Sequence, residues 1–107
     1  MTDEKLVELA KQCQEDSAKW FPDANNLVHH SLALAGEVGE FCNIIKKVDR
    51  GSLSFSEAKV RYDLAMEITD VFIYVLNIAG LMHIDLEKTY MIKRTENNHR
   101  FTPKEKS

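Results

Sequence analysis

The sequence has few of the residues that interrupt or cross-link a chain. It contains two prolines and four glycines in 107 residues. No alternating apolar and polar run is bounded by turn residues, so β-strands are not expected. Its two cysteines, Cys13 and Cys42, lie outside any Cys-x-x-Cys or Cys/His spacing, which excludes a common zinc or redox motif. We therefore expect an all-α protein with two free thiols.

An excess of basic charge is also missing. Lys and Arg number 14 against 17 Asp and Glu, so the formal net charge is −3. A broad phosphate-neutralising face needs the opposite balance, so no nucleic-acid partner is expected. The last twenty residues, 88–107, nevertheless hold six Lys or Arg and two Glu. Any phosphate site is therefore expected to be local.

Long hydrophobic runs are absent as well. The longest, Val71 to Met82, contains Asn77 and is shorter than the about 20 residues that a membrane span needs. The first residues are charged and lack the apolar segment of a signal peptide. We expect a soluble, cytoplasmic protein with no membrane partner.

The chain has the length of one domain, since domains commonly contain about 100–150 residues. We assign residues 1–101 to a single all-α domain and 102–107 to a disordered tail. Apolar periodicity predicts a bundle of four main helices, at about residues 3–19, 25–48, 54–82 and 85–99.

Helix ends have recognisable signals. Asn25 or Asn26 is expected to cap the second helix, and Gly51 to end it in a left-handed conformation. The segment Ser54 to Glu57 reads as a capping box that opens the third helix, and Asp85 is expected to cap the fourth.

Two helices carry the same acidic pattern, thirty positions apart. Glu37-x-x-Glu40 lies on the second helix and Glu67-x-x-Asp70 on the third. Residues three apart lie about 60° apart around a helix, so each pair can serve one ion or ligand. Both pairs border apolar stripes, and packing of the stripes on each other would bring four carboxylates together. The stripes are Leu34, Val38, Phe41, Ile45 and Val48 on the second helix, and Leu64, Ile68, Val71, Val75 and Ile78 on the third.

A cluster of acids beside apolar residues needs a neutralising partner. Partly buried like charges repel and raise one another's pKa, so the cluster predicts a bound cation. Oxygen ligands without His or Cys favour a hard ion, Mg²⁺, with Mn²⁺ as a substitute. The alternative is a solvated face of salt bridges, which is the ordinary role of a single Glu-x-x-Glu pair.

Groups suited to a phosphorylated substrate accompany the acids. Lys93, Asn97 and Arg100 form one stripe on the fourth helix, as recognition of phosphate or sugar requires. Lys47 adds positive charge near the end of the second helix. For each cation, a solvated side chain is the competing interpretation.

Two aromatic residues are further candidates for substrate binding. Tyr74 lies one turn after Asp70. Trp20, the sole tryptophan, can either stack on a base or cap the bundle. His30 lies on the apolar side of the second helix, and we expect a core histidine there and not a catalytic one.

In this combination the sequence resembles the MazG-like branch of the all-α nucleoside triphosphate pyrophosphohydrolases. The resemblance spans about residues 20–101 and rests on three stretches in the family's order: Leu32 to Glu40, Glu67 to Tyr74, and Asp85 to Phe101. It implies hydrolysis of a nucleoside triphosphate to the monophosphate and pyrophosphate. It also implies Mg²⁺ held by four catalytic acids, Glu37, Glu40, Glu67 and Asp70.

The resemblance extends to the substrate residues. Tyr74, Lys93 and Asn97 match nucleotide-contacting positions of the related dCTP pyrophosphatases, and Trp20 matches across a one-residue difference in spacing. Lys47 stands where those enzymes have a further base-stacking tryptophan, which argues against a simple transfer of dCTP preference. Two alternatives stay open: a phosphoribosyl-ATP pyrophosphatase, and a non-catalytic helical dimerisation module that binds nucleotide.

The third helix also predicts the assembly. It is apolar nearly all round, and Phe72, Ile73, Leu76 and Leu81 point away from the second helix. A chain this short has few other helices to cover them, so a partner subunit is expected to complete the bundle. The family resemblance implies the same, as a homodimer or homotetramer.

Overall fold

The structure, a computed structural model, describes residues 3–22 and 24–103. This part of the chain forms helices and no strand, which confirms the all-α prediction. Of the predicted tail, Thr102 and Pro103 are non-helical, and residues 104–107 lie outside the described residues. The helices are α1 (Asp3–Trp20), α2 (Leu27–Asp49), α3 (Ala58–Leu81) and α4 (Leu86–Phe101).

Side-chain caps set the starts of α2 and α4. The His29 N–H donates to Asn26 Oδ1 at 3.0 Å, and the Lys88 N–H donates to Asp85 Oδ1 at 3.1 Å. Each bond satisfies a backbone donor that the first helical turn leaves free. Gly51 has a φ of 86° just after α2, where a residue with a Cβ would be strained. These three predictions are confirmed.

The capping box expected at the start of α3 is wrong. Ser54 Oγ accepts the Ser56 N–H at 3.1 Å, which closes a local turn, and α3 begins only at Ala58. Glu57 stands at the cap position and makes no side-chain cap hydrogen bond. A serine that bonds its own neighbouring backbone competes with helix formation, so the helix starts later than the sequence suggests.

α3 is the central helix, and both α1 and α2 pack against it. Leu76 is 1% exposed, and Val60 and Ala79 are also buried. Leu76 and Ala79 line a small cavity together with Leu6 and Ala10 of α1. We expected Leu76 to face a partner subunit, and this is wrong because α1 covers it.

α1 approaches α3 closely at Gly80. The side-chain amide of Gln14 lies where a Cβ on residue 80 would stand. Leu6 lines a cavity with Gly80, near the end of α3, and Trp20 lines another with Tyr74, so α1 runs antiparallel to α3. The C-terminal end of α1 is thereby placed next to the acidic part of α3.

The chain covers little of its own apolar surface. The radius of gyration of its Cα atoms is 17.5 Å, against about 13 Å for a compact domain of this length. Val38 and Ile68, which we expected inside the contact of α2 with α3, are exposed instead. Among the described residues, α4 contributes none that is buried.

By length and composition alone, α3 is apolar enough to cross a membrane. An 18-residue window within it has a mean hydropathy of 1.6, and 17% of that window is buried. The helix carries Glu67 and Asp70 and packs against α1 and α2, as the core helix of a soluble protein also does. The high hydropathy of α3 reflects apolar side chains that one chain leaves uncovered.

Two substitutions should separate core from surface. Leu76→Ala removes a fully buried side chain, so we expect unfolding free energy to fall by about 2–5 kcal/mol. Val7→Ala is the control, since Val7 on α1 is 61% exposed. Urea unfolding at equal protein concentration measures both, and equal losses would contradict the packing of α1 on α3.

Candidate active site

Three of the predicted acids lie together between α2 and α3. One oxygen each from Glu37, Glu67 and Asp70 lies within 4.8 Å of the other two. Their side chains are half-buried. Glu37 Oε2 and Glu67 Oε2 are shielded from water and have no hydrogen-bond partner among the described residues. Carboxylate oxygens in this condition need a proton or a cation.

Glu40 is the exposed member of the predicted set of four. It lies within hydrogen-bonding reach of Glu37 and Glu67 but outside the group of three. Its side chain is exposed, whereas those of the other three acids are half-buried. Glu40 therefore stands between the buried carboxylates and solvent.

The cluster raises the pKa of its own members. The hydrogen bond with Glu37, with burial and the charge of Glu40 adding to it, raises the pKa of Glu67 to about 7. Burial is the main cause that raises the pKa of Glu37, and the charges of Glu40 and Asp70 add to it. Like charges this close cannot all be ionised at low cost, so the cluster favours a bound proton or a cation.

The donor set fits a hard divalent cation. Every candidate ligand is a carboxylate oxygen, and two of these oxygens lack a partner. The ion pairs found among the described residues are Lys59–Asp63 and Lys93–Glu96, and neither includes an acid of the cluster. Oxygen-only ligands suit Mg²⁺ or Mn²⁺ better than softer metals.

A cavity of about 280 Å³ opens beside the acids, between α1 and α3. Glu37 and Asp70 line it, and so do both predicted aromatic residues, Trp20 and Tyr74. Trp20 is exposed and meets Phe21 edge to face, with 6.4 Å between ring centroids. Trp20 therefore stands at the mouth of the cavity and does not close the bundle.

The ring of Tyr74 packs against a buried histidine. His30 is 2% exposed, its Nε2–H donates to the Ala24 carbonyl at 2.8 Å, and its ring centroid lies 5.9 Å from that of Tyr74. His30 is thus a core residue, as expected. Its hydrogen bond links the loop before α2 to α2 itself. Burial and the charges of Glu37 and Asp70 raise the pKa of Tyr74, so its hydroxyl remains a donor.

The predicted basic residues are not at the cavity within one chain. Lys93 pairs with Glu96 at 3.5 Å, and the Arg100 guanidinium lies 4.9 Å from the centre of the Phe101 ring. Asn97 is exposed on the same helix, and the half-buried Lys47 is not among the cavity residues.

α1 supplies residues that the sequence analysis missed. Cys13, Asp16 and Ser17 line the cavity, as do Ile73 and Asn77 of α3. Their spacing was the available signal, because Cys13, Ser17 and Trp20 follow one another at four and three positions. Burial is the main cause that raises the pKa of Cys13, so this thiol is not an activated nucleophile.

Fold and site together define an all-α protein with an acid-lined cavity whose carboxylates suit a cation. Residues 28–100 match the MazG nucleotide pyrophosphohydrolase domain. The match covers more than half of the chain and all four acids of the predicted set. The chain belongs to this family.

One curated relative is similar to part of the chain. dCTP pyrophosphatase 1 of Rattus norvegicus is 33% identical over an alignment of 73 residues, and the match covers 65% of this chain and 42% of the relative. The chain thus matches less than half of the relative's length. No solved structure is significantly similar.

The raised pKa of Glu67 predicts how stability depends on pH. The pKa of Glu67 in the folded protein, about 7, exceeds the ordinary value of 4.5. The contribution of this carboxyl to folding stability is therefore complete below pH 4.5, and it is lost as the pH rises through 7. We expect the Tm of the metal-free protein, in chelator, to fall between pH 5 and 8. Mg²⁺ should raise Tm more at pH 8 than at pH 5.

Glu67→Gln should flatten this fall, because the amide does not ionise. Glu8→Gln, on the exposed side of α1, is the control and should keep the slope of the unchanged protein. Equal slopes for all three proteins would show that Glu67 ionises freely.

Proposed function

We propose that the protein is a Mg²⁺-dependent nucleoside triphosphate pyrophosphohydrolase, which converts an NTP or dNTP to the NMP or dNMP and pyrophosphate. The observation that carries the proposal is the group of three carboxylates, two of which line a cavity together with Trp20 and Tyr74. Membership of the MazG family and the name of the rat relative support a nucleotide substrate. We place the activity in the cytoplasm, where free cysteines such as Cys13 and Cys42 persist.

Glu37, Glu67 and Asp70 would hold the ion, with Glu40 completing the set from the solvent side. When bound, Mg²⁺ supplies charge neutralisation of the phosphates and of the pyrophosphate leaving group. The buried carboxylate oxygens without partners are the observation that favours such an ion here.

The chain's own residues position and activate the reactants. Glu40 is exposed and adjacent to the buried acids, so it can accept a proton from water that attacks the α-phosphorus. The protonated Tyr74 hydroxyl can donate to the substrate, and the exposed face of Trp20 can stack on a base.

The proposal includes a homodimer or homotetramer. The open shape of the chain and its exposed apolar side chains support it, since a monomer would leave them in water. In such an assembly, Lys47, Lys93, Asn97 and Arg100 would reach the triphosphate of a neighbouring subunit. The exposed apolar residues include Val28, Leu32 and Val38 on α2, Tyr62, Met66, Ile68 and Phe72 on α3, and Tyr90, Met91 and Ile92 on α4.

Removal of one ligand charge tests the activity. Glu37→Gln and Asp70→Asn should each lower Mg²⁺-dependent kcat by about a hundredfold or more, because the amide binds the ion poorly. The metal-free Tm should hold or rise, because the change relieves repulsion. Turnover of each dNTP and NTP is measured by ion-exchange chromatography of the products, with Glu8→Gln as the control.

The products and substrates decide among the alternatives. Monophosphate with pyrophosphate supports the proposal, and diphosphate with phosphate contradicts it. Preference for phosphoribosyl-ATP would indicate a phosphoribosyl-ATP pyrophosphatase. Nucleotide binding without turnover favours a non-catalytic module, and near-normal turnover in both variants would remove the metal assignment.

Light scattering tests the assembly. The mass should be a multiple of 12.3 kDa, and Phe72→Asp should reduce it towards one chain together with activity. Phe72 is exposed and lines an apolar groove with Tyr90 and Met91, where an aspartate would lose contact with a partner. Ser52→Asp, in an exposed turn, is the control, and a single-chain mass with full activity would refute the assembly.

A further inference from the structure

His30 is a buried imidazole with only one of its two ring nitrogens paired. Its side chain is 2% exposed, Nε2–H donates to the Ala24 carbonyl at 2.8 Å, and Nδ1 is buried without a partner among the described residues. A carbonyl oxygen only accepts, so this bond places a proton on Nε2. A buried nitrogen without a bond costs free energy, which an apolar side chain of similar size would avoid. The imidazole therefore has a role beyond filling the core.

The hydrogen bond to Ala24 orients the ring from outside its own helix. Ala24 lies in the loop between α1 and α2, and His30 lies in the first turn of α2. The backbone N–H of His30 donates separately to the Asn26 carbonyl of the same loop, at 3.1 Å. The terminal torsion of a histidine is soft, so packing alone would let the ring turn. The bond to Ala24 selects one orientation.

Tyr74 has no comparable anchor. In residues 3–22 and 24–103, its hydroxyl makes no hydrogen bond to a side chain or to the backbone. Its ring centroid lies 5.9 Å from that of His30, with 53° between the two planes. A phenol whose hydroxyl is not bonded depends on its packing for its direction. The anchored imidazole is therefore the aromatic neighbour that orients Tyr74.

We propose that His30 is a positioning residue, whose anchored ring holds Tyr74 so that the phenol hydroxyl is directed at the substrate beside the acids. Tyr74 lines the cavity with Glu37 and Asp70, which places the hydroxyl on the side where the phosphates would bind. The inference rests on the proposed function, in which this hydroxyl donates to the substrate. His30 itself lies behind Tyr74 and is not among the residues that line the cavity.

Two substitutions separate the halves of the arrangement. His30→Phe keeps a ring against Tyr74 and removes the donor to Ala24, whereas His30→Gln keeps a donor and removes the ring. Only an aromatic ring that also carries an N–H provides both, so each variant should lower kcat/KM about tenfold, as expected when one hydrogen bond to the substrate is lost. The substrate is the nucleotide that the unchanged protein hydrolyses fastest.

A double-mutant cycle tests whether His30 acts through the hydroxyl of Tyr74. Tyr74→Phe keeps the ring against His30, removes the hydroxyl, and should by itself lower kcat/KM about tenfold. In the Tyr74→Phe background, each His30 substitution should lower kcat/KM by less than about twofold, because the group that it positions is absent. A histidine that only stabilises the fold would instead give losses that multiply.

A second readout follows the Tyr74 ring without turnover. The chain has three tyrosines, of which Tyr62 and Tyr90 are each 64% exposed. NMR spectra of protein with ring-labelled tyrosine therefore contain few signals, and Tyr74→Phe identifies the one from Tyr74. His30→Gln should shift this signal, because the ring current of the imidazole is lost, and should leave those of Tyr62 and Tyr90 in place.

His83→Asn is the control for loss of an imidazole. His83 is exposed in the turn after α3, and its φ of 54° suits asparagine. The variant should keep both kcat/KM and the Tyr74 signal. Circular dichroism checks the folding of every variant. If neither His30 variant folds, His30 is a structural residue and the proposal is overturned.

The outcomes separate the two proposals. No loss in the His30 variants, losses that multiply in the cycle, or an unmoved Tyr74 signal in His30→Gln would each overturn the positioning role and leave the hydrolase proposal standing. A Tyr74 signal that moves in a protein that hydrolyses no nucleotide would show that His30 orients Tyr74 and would overturn the hydrolase. An unmoved signal without hydrolysis would overturn both.

Discussion

The repulsion among Glu37, Glu40, Glu67 and Asp70 is the constraint on which the structure depends. These carboxylates are brought together only because apolar residues of α2 pack on α3. The hydrogen bond with Glu37, together with burial and the charge of Glu40, raises the pKa of Glu67 to about 7. The fold thus holds a cluster of like charges whose repulsion a bound cation would relieve.

That constraint fixes the role of each neighbouring helix. α3 carries acids on the side facing α2 and buries Leu76 against α1, so two of its faces are used within the chain. α1 lies close because Gly80 leaves room for Gln14. The remaining face of α3 keeps Phe72 and Ile68 exposed, and α4 itself has no buried side chain among the described residues.

The acid pairs could be predicted from sequence because helical periodicity fixes which residues share a side. The approach of the two pairs to each other could also be predicted, since each pair borders an apolar stripe. The packing partners of individual apolar residues could not be predicted from the sequence. A helix that is apolar nearly all round has no marked face, so periodicity could not show that Leu76 meets α1 or that Val38 and Ile68 remain exposed.

Two further differences between prediction and structure have physical causes: competition between hydrogen bonds at the start of α3, and contacts between helices that are distant in sequence. Ser54 prefers a bond to the neighbouring backbone over capping, and no pattern in four residues decides between these. The cavity wall from α1 was missed because Cys13 and Ser17 are small residues whose role appears only when α1 lies antiparallel to α3.

The buried polar residues show why the cavity and the core are one structure. His30 and Asn77 are among the few fully buried side chains, and each keeps a ring nitrogen or amide oxygen without a partner. Apolar replacements would pack there at lower cost. His30 lies behind Tyr74 and Asn77 lines the cavity, so both polar groups stand where a ligand's surroundings must be held in place. The small core of this chain is therefore shaped as much by the site beside the acids as by the packing of its helices.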